Sequence, residues 1–212
     1  MLEIKKYVVN PLQENSYLIY DETKECIIID AGFYYGEEED EVDYFIEKNE
    51  LKLQKLVNTH CHFDHIMGVE YLRNKYKVRF EAHEEDAFWV ERAVEQGARF
   101  GFDMKPVNPI DKFIVEDEII RMGNSELRII HVPGHSAGHV VLYDEKEGNL
   151  IAGDVLFYGS IGRTDLPGGD YNTLIDGIKS RLFCLPDETI VYCGHGPETT
   201  IGFEKIHNPF LT

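Results

Sequence analysis

Cysteine is scarce: four residues in 212, at positions 26, 61, 184 and 193, with no CxxC pair among them. That scatter argues against a disulfide framework and makes a reducing cytoplasm the expected compartment. No apolar run approaches the ~20 residues that cross a bilayer, so no membrane association is expected. The first twenty residues, MLEIKKYVVNPLQENSYLIY, place Asn, Gln and Glu where a targeting signal needs its apolar core, and they read instead as two strands. Positive charge is also in short supply. Against 39 Asp and Glu stand 21 Lys and Arg, a net charge of -18 that would repel nucleic-acid phosphates over most of the surface. Part of that acid, Glu37 to Glu41, reads as the favourable first turn of a helix. Hydrophobic content of 43% with 28% charged residues is globular, and no linker or low-complexity tract interrupts it. One domain over 1–212 is expected, and nothing marks how chains associate.

Period-two patterning predicts strands at Ile4–Val9, Tyr17–Tyr20 and Cys26–Asp30, with a turn at Asp21–Lys24. Val42, Phe45 and Ile46 give the next segment a helical stripe. Gln54–Asn58 returns to strand, and helices are expected over Ile66–Tyr76 and Glu84–Gln96. Between Gly97 and Asp111 periodicity fades, leaving Phe100, Phe102 and Met104 to fold back onto the body or wall a site. Strands follow at Ile119–Met122, Glu126–His131, His139–Tyr143, Leu150–Ala152 and Thr189–Tyr192, and helices at Tyr171–Phe183 and Thr199–His207. Each half runs strands and then helices, which fits an α/β protein of two packed sheets with helices outside.

The chemistry concentrates in Thr59-His60-Cys61-His62-Phe63-Asp64-His65, four metal-binding side chains within six residues after an apolar strand. Alternation points His60 and His62 the same way, and Asp64 and His65 are expected to turn away toward a second site. His135, Asp154 and His195 each follow a predicted strand and adjoin glycine, which lets backbone approach a ligand closely. Five His and two Asp make a nitrogen and oxygen donor set suited to Zn²⁺, Fe or Mn. They are too many for one tetrahedral ion and about right for two. A water between two ions about 3.5–4 Å apart would be a hydroxide near neutral pH, a ready nucleophile.

The segment Thr59 to His65, with Ile29-Asp30-Ala31-Gly32, Gly153-Asp154-Val155-Leu156-Phe157 and Gly194-His195-Gly196-Pro197, resembles the metallo-β-lactamase superfamily and its glyoxalase II-like hydrolases. The resemblance implies the α/β metallo-β-lactamase sandwich, two mixed sheets flanked by helices. It implies that His60, His62 and His135 bind a first metal, that Asp64, His65 and His195 bind a second, and that Asp154 bridges them. Zinc is the first expectation for both ions, with Fe or Mn as alternatives. Asp30 would hold the remaining N–H of a ligand histidine or cap local amides. Cys61 and Cys193 are read as packed, and His83, His131, His139 and His207 as structural, with His139 beside the site.

Typical glyoxalase II enzymes carry a C-terminal helical domain that holds glutathione. This sequence runs only to Thr212, and where a Lys and a Tyr would contact that ligand it has Arg163 and Asp165. Gly162-Arg163-Thr164-Asp165 and Leu166-Pro167-Gly168-Gly169-Asp170 resemble a short single-domain branch, and the first element also occurs in related mononuclear iron sulfur dioxygenases. The expectation is a small-molecule thioester hydrolase of the hydroxyacylglutathione type, with Asp64 orienting the attacking hydroxide. Phe100, Phe102, Tyr158, Arg163 and Phe203 are the expected substrate contacts. Alternatives are the iron dioxygenase and a non-enzymatic interaction protein on the same scaffold.

Overall fold

The computed structural model describes residues 1–212, which divide into two units: Met1–Ile114 with Arg121–Ser125, and Val115–Ile120 with Glu126–Thr212. In the first unit, β1 (Glu3–Val9), β2 (Glu14–Tyr20), β3 (Glu25–Ile29), β4 (Lys52–Val57), β5 (Arg79–His83) and β6 (Lys112–Ile114) form a sheet in chain order. β1 to β3 pair antiparallel and β3 to β6 parallel. β3 is an unbroken buried run from Cys26 to Ile29, as a central strand covered on both faces should be. The unit's helices are α1 (Gly36–Lys48), α2 (Val69–Tyr76), α3 (Ala87–Glu91) and α4 (Ala93–Arg99).

The second sheet comprises β7 (Ile119–Met122), β8 (Ser125–His131), β9 (Val140–Asp144), β10 (Asn149–Gly153), β13 (Ile190–Cys193) and β14 (Thr199–Thr200), with β11 (Leu156–Phe157) and β12 (Ser160–Ile161) as a separate ribbon. β10 and β13 run parallel, and the β10–β9 and β9–β8 pairs antiparallel. α5 (Tyr171–Gly177) and α6 (Ile201–His207) complete the unit. Leu174, Ile178, Leu182 and Ile201 are buried in the same apolar cluster as Leu150, Ala152 and Val191 of the strands. The α/β class with two mixed sheets flanked by helices is borne out.

Several expected boundaries move. The Ile66–Tyr76 helix starts at Val69, because Phe63–His65 is a separate 3₁₀ turn and Gly68 caps α2. The Glu84–Gln96 helix breaks at Arg92, opens with a 3₁₀ turn, and runs on to Arg99. Tyr171–Phe183 is α-helical only to Gly177 and ends in a π-helical turn, Ile178–Leu182. Thr199–Thr200 pairs with β13 before α6 begins. β5, β6, β11 and β12 are short strands with no period-two signal long enough to read.

One buried carboxylate ties α1 to α2. Asp43 accepts from Tyr76 Oη at 2.6 Å and from Tyr71 Oη and Lys75 Nζ. Burial alone would raise this carboxyl, but the three donors outweigh it and hold it below the usual carboxylate range. A folded-state value lowered in this way contributes stability that is present above the unfolded value and lost as pH falls through the folded one. Asp43→Ala is therefore expected to cost about 1–3 kcal/mol. It should also flatten the loss of stability below about pH 4, as read by urea unfolding at neutral and acid pH.

Candidate metal centre

In the first unit β4 ends at Val57 and the chain enters the histidine loop, whose backbone is held by buried side chains from elsewhere in the unit. Asn58 Nδ2 donates to His60 O at 3.0 Å and His65 O at 2.9 Å. Cys61 N donates to Asp86 Oδ2 at 2.8 Å and Phe63 N to Gln96 Oε1 at 2.9 Å, one on each side of His62. Asn10 Nδ2 donates to Asp64 O at 3.1 Å. Such fixing of a loop by side chains is what a preorganised ligand set requires. None of these supporting residues stood out in the sequence, since each reads there as an ordinary surface polar residue.

His60, His62, Asp64 and His65 are all buried. The His60 and His62 ring centroids lie 4.8 Å apart, in keeping with their alternation. His65 sits at the end of the 3₁₀ turn, its ring centroid 4.1 Å from that of His60. Asp64 Oδ2 lies 3.9 Å from His65 Nε2.

Asp30 fulfils both expected roles. It sits at φ +54°, a left-handed conformation that Asp tolerates, and this turns its carboxylate under the loop. It accepts from Thr59 N at 2.7 Å and Thr59 Oγ1 at 2.6 Å, and lies 3.2 Å from His65 Nδ1. The Thr59 hydroxyl hydrogen is engaged by Asp30, so in its 3.1 Å contact with His60 Nδ1 the hydroxyl oxygen accepts from a protonated Nδ1.

The second unit supplies three strand-end residues. Gly134 takes φ +126° just before His135, where a Cβ would strike the backbone of Leu174. Asp154 and His195 leave the neighbouring parallel strands β10 and β13, tied by Gly194 N donating to Gly153 O at 2.7 Å. Asp154 Oδ2 lies 3.6 Å from His135 Nε2 and 3.8 Å from His195 Nε2, one carboxylate oxygen facing two imidazoles. His195 is the more open of the two, with 27% of its side chain exposed against 2% for His135. His139, read as structural, is placed by accepting from Asp154 N at 3.0 Å through Nε2.

The donor set fits metal ions. Nδ1 of His60, His65 and His135 faces an oxygen acceptor (Thr59 Oγ1, Asp30 Oδ2 and Arg163 O, the last at 2.8 Å), which leaves each Nε2 unprotonated for ligation. Cys61 is no competitor. Burial, reinforced by Asp86 and Asp30, pushes its thiol well above the ordinary range, away from the thiolate a metal would need.

The expected substrate residues divide. Phe100, 44% exposed, stacks on Phe63 at 5.1 Å, and Phe102 meets Phe63 and Tyr34 at 5.4 Å each, so this loop folds back onto the residue between His62 and Asp64. A nearby cleft of about 600 Å³, walled by Tyr34, Met67, Lys75 and Met104, contains no ligand residue. Tyr158 is exposed and stacks on Phe203 at 4.9 Å, so it is not a core residue. Arg163 is not a free cation. Its Nε and Nη2 bind both carboxylate oxygens of Asp165 at 2.7 and 2.8 Å, while its carbonyl orients His135. That pairing holds the Asp165 carboxyl at about 2.

A family model for the metallo-beta-lactamase superfamily matches residues 9–195. The chain is 40% identical to a hydroxyacylglutathione hydrolase, GloC, of Haemophilus influenzae, over 99% of this chain and 98% of that protein. Among solved structures it resembles BLEG-1 B3 metallo-beta-lactamase, with TM-score 0.91, 37% identity, and coverage of 99% of this chain and 100% of that one. It also resembles TTHA1623 in a di-iron-bound form, with TM-score 0.87, 35% identity, and coverage of 98% and 100%.

Proposed function

The chain belongs to the metallo-beta-lactamase superfamily, in its glyoxalase II-like branch, and is a binuclear metal-dependent hydrolase; from that premise we propose that it cleaves small thioesters of the hydroxyacylglutathione class. The observation that favours this class is the 40% identity, across nearly the whole of both chains, to a hydroxyacylglutathione hydrolase. His60, His62 and His135 would hold one ion and Asp64, His65 and His195 the other, with Asp154 shared between them. The ions are divalent transition metals, zinc first, with iron or manganese able to replace it. Bound ions would polarise the thioester carbonyl and acidify a water enough for it to attack near neutral pH.

The protein's own groups do the rest. In this reading the Asp64 carboxylate would orient the attacking water. No side-chain nucleophile takes part: Cys61 and Cys193 are buried, and Cys61 is held as a thiol. The leaving thiolate is weakly basic, so no strong general acid is required. With ions held by these imidazole and carboxylate donors, the chemistry would need no Ser or Cys triad.

Anchoring is the weak part of the design. Arg163 is already engaged by Asp165, and the chain carries a net charge of -18. Glutathione thioesters are anionic, so a high KM is expected. Protein loaded with Zn²⁺ or Mn²⁺ should hydrolyse S-D-lactoylglutathione within a thioester panel, because this chemistry needs neither O₂ nor a redox change. Activity found only with iron and glutathione persulfide, with stoichiometric oxygen uptake, would overturn the proposal.

A further inference from the structure

Glu14 opens β2 and is wholly buried, yet it belongs to no ligand set and takes no part in the hydrolysis described above. A buried carboxyl is costly unless something in the structure uses it. Its Oε2 accepts from Ser16 Oγ at 2.8 Å, and Ser16 Oγ in turn accepts from Gly32 N at 3.0 Å. Its Oε1 has no hydrogen-bond partner and lies 3.5 Å from His65 Nδ1.

The other carboxylate at His65 is divided. Asp30 Oδ2 stands 3.2 Å from His65 Nδ1 but also takes the Thr59 hydroxyl at 2.6 Å, and Asp30 Oδ1 takes Thr59 N. Glu14 Oε1 is thus the acceptor with capacity to spare. The backbone makes room for it: a Cβ on Gly32 would lie 2.2 Å from Glu14 Oε2 and 2.4 Å from Asp64 O. Asn10 Nδ2 closes this chain of contacts by donating to both Gly32 O and Asp64 O.

We infer that Glu14 is a positioning residue which, with Asp30, brackets His65 Nδ1, fixes the ring and its Nδ1–H tautomer, and so sets metal affinity at the position His65 serves. This rests on the reading of His65 as a ligand. Carboxylate partners of ligand histidines act in this way, by orienting the ring and raising its basicity.

The test uses Zn²⁺-loaded protein. Glu14→Gln keeps the shape of the side chain. It should move the His65 Nδ1–H resonance upfield and speed its exchange with water, a change that a purely packing role would not produce. Zn²⁺ affinity at one of the two positions should fall on the order of 10-fold, with the other unchanged. If Glu14→Gln does not fold, Ser16→Ala removes the donor to Oε2, together with the acceptor for Gly32 N, and should act in the same direction with smaller size. A parental His65 resonance and parental affinities in the folded variant would overturn the inference. His65→Ala separates the two levels. If it keeps both ions at parental affinity, the ligand reading fails. If it loses one ion while the Glu14 and Ser16 variants match the parent, only the role of Glu14 fails.

Discussion

Asp154→Ala is expected to take zinc from close to two ions per chain to fewer than one, and to lower thioester turnover by on the order of 100–1000-fold. The size follows from what one oxygen does. Asp154 Oδ2 faces Nε2 of both His135 and His195, at 3.6 and 3.8 Å, so its removal strips a shared donor instead of a terminal one. Asp154→Asn keeps the shape and the backbone contact to His139 but loses the charge, and should fall between parent and Ala. Metal analysis by mass spectrometry, alongside kcat, reads both effects. Retention of two tightly bound ions by the Ala variant would mean that Asp154 is not shared.

Gly162→Ala should be nearly as damaging, through backbone alone. A Cβ there would lie 1.8 Å from Asp154 O, far inside any tolerable contact, and a tight 3.0 Å from His135 Nδ1. Neither neighbour is the free end of a flexible side chain, so the strand-end segment carrying Asp154 must shift. Overpacking of this kind costs about 1–3 kcal/mol, and here the displaced atoms belong to two proposed ligands. Thermal unfolding should show the stability loss, and metal content should fall with it. Gly36→Ala is the matched control: nothing lies within 4 Å of its Cβ position, and stability and metal content should stay parental.

The proposed ligands were legible because of where they stand in the sequence. His60 to His65 are contiguous, and His135, Asp154 and His195 each follow an apolar strand and touch a glycine. Their supports were not legible. Asp86 closes a run of three acids, Glu84-Glu85-Asp86, that looks solvated, yet its carboxylate is buried on Cys61 N, 25 positions away. Glu14 and Gln96 are similar cases, polar residues whose partners are set by sheet register and helix placement and not by local pattern. The aromatic loop resolved in favour of folding back, because Phe63 offers Phe100 and Phe102 a stacking surface that sequence spacing does not reveal. Arg163 is an expected substrate contact, yet Asp165, only two residues on, engages its guanidinium through both carboxylate oxygens. Two parallel strands at one end of the first sheet, β5 and the edge strand β6, carry no legible period in their five and three residues.

Titrating metal-stripped protein with Zn²⁺ while following thioester hydrolysis tests the central claim most directly. The account predicts that activity climbs and saturates near two equivalents per chain, with no need for oxygen. Saturation at one equivalent, or no hydrolysis with Zn²⁺ at any loading, would contradict it.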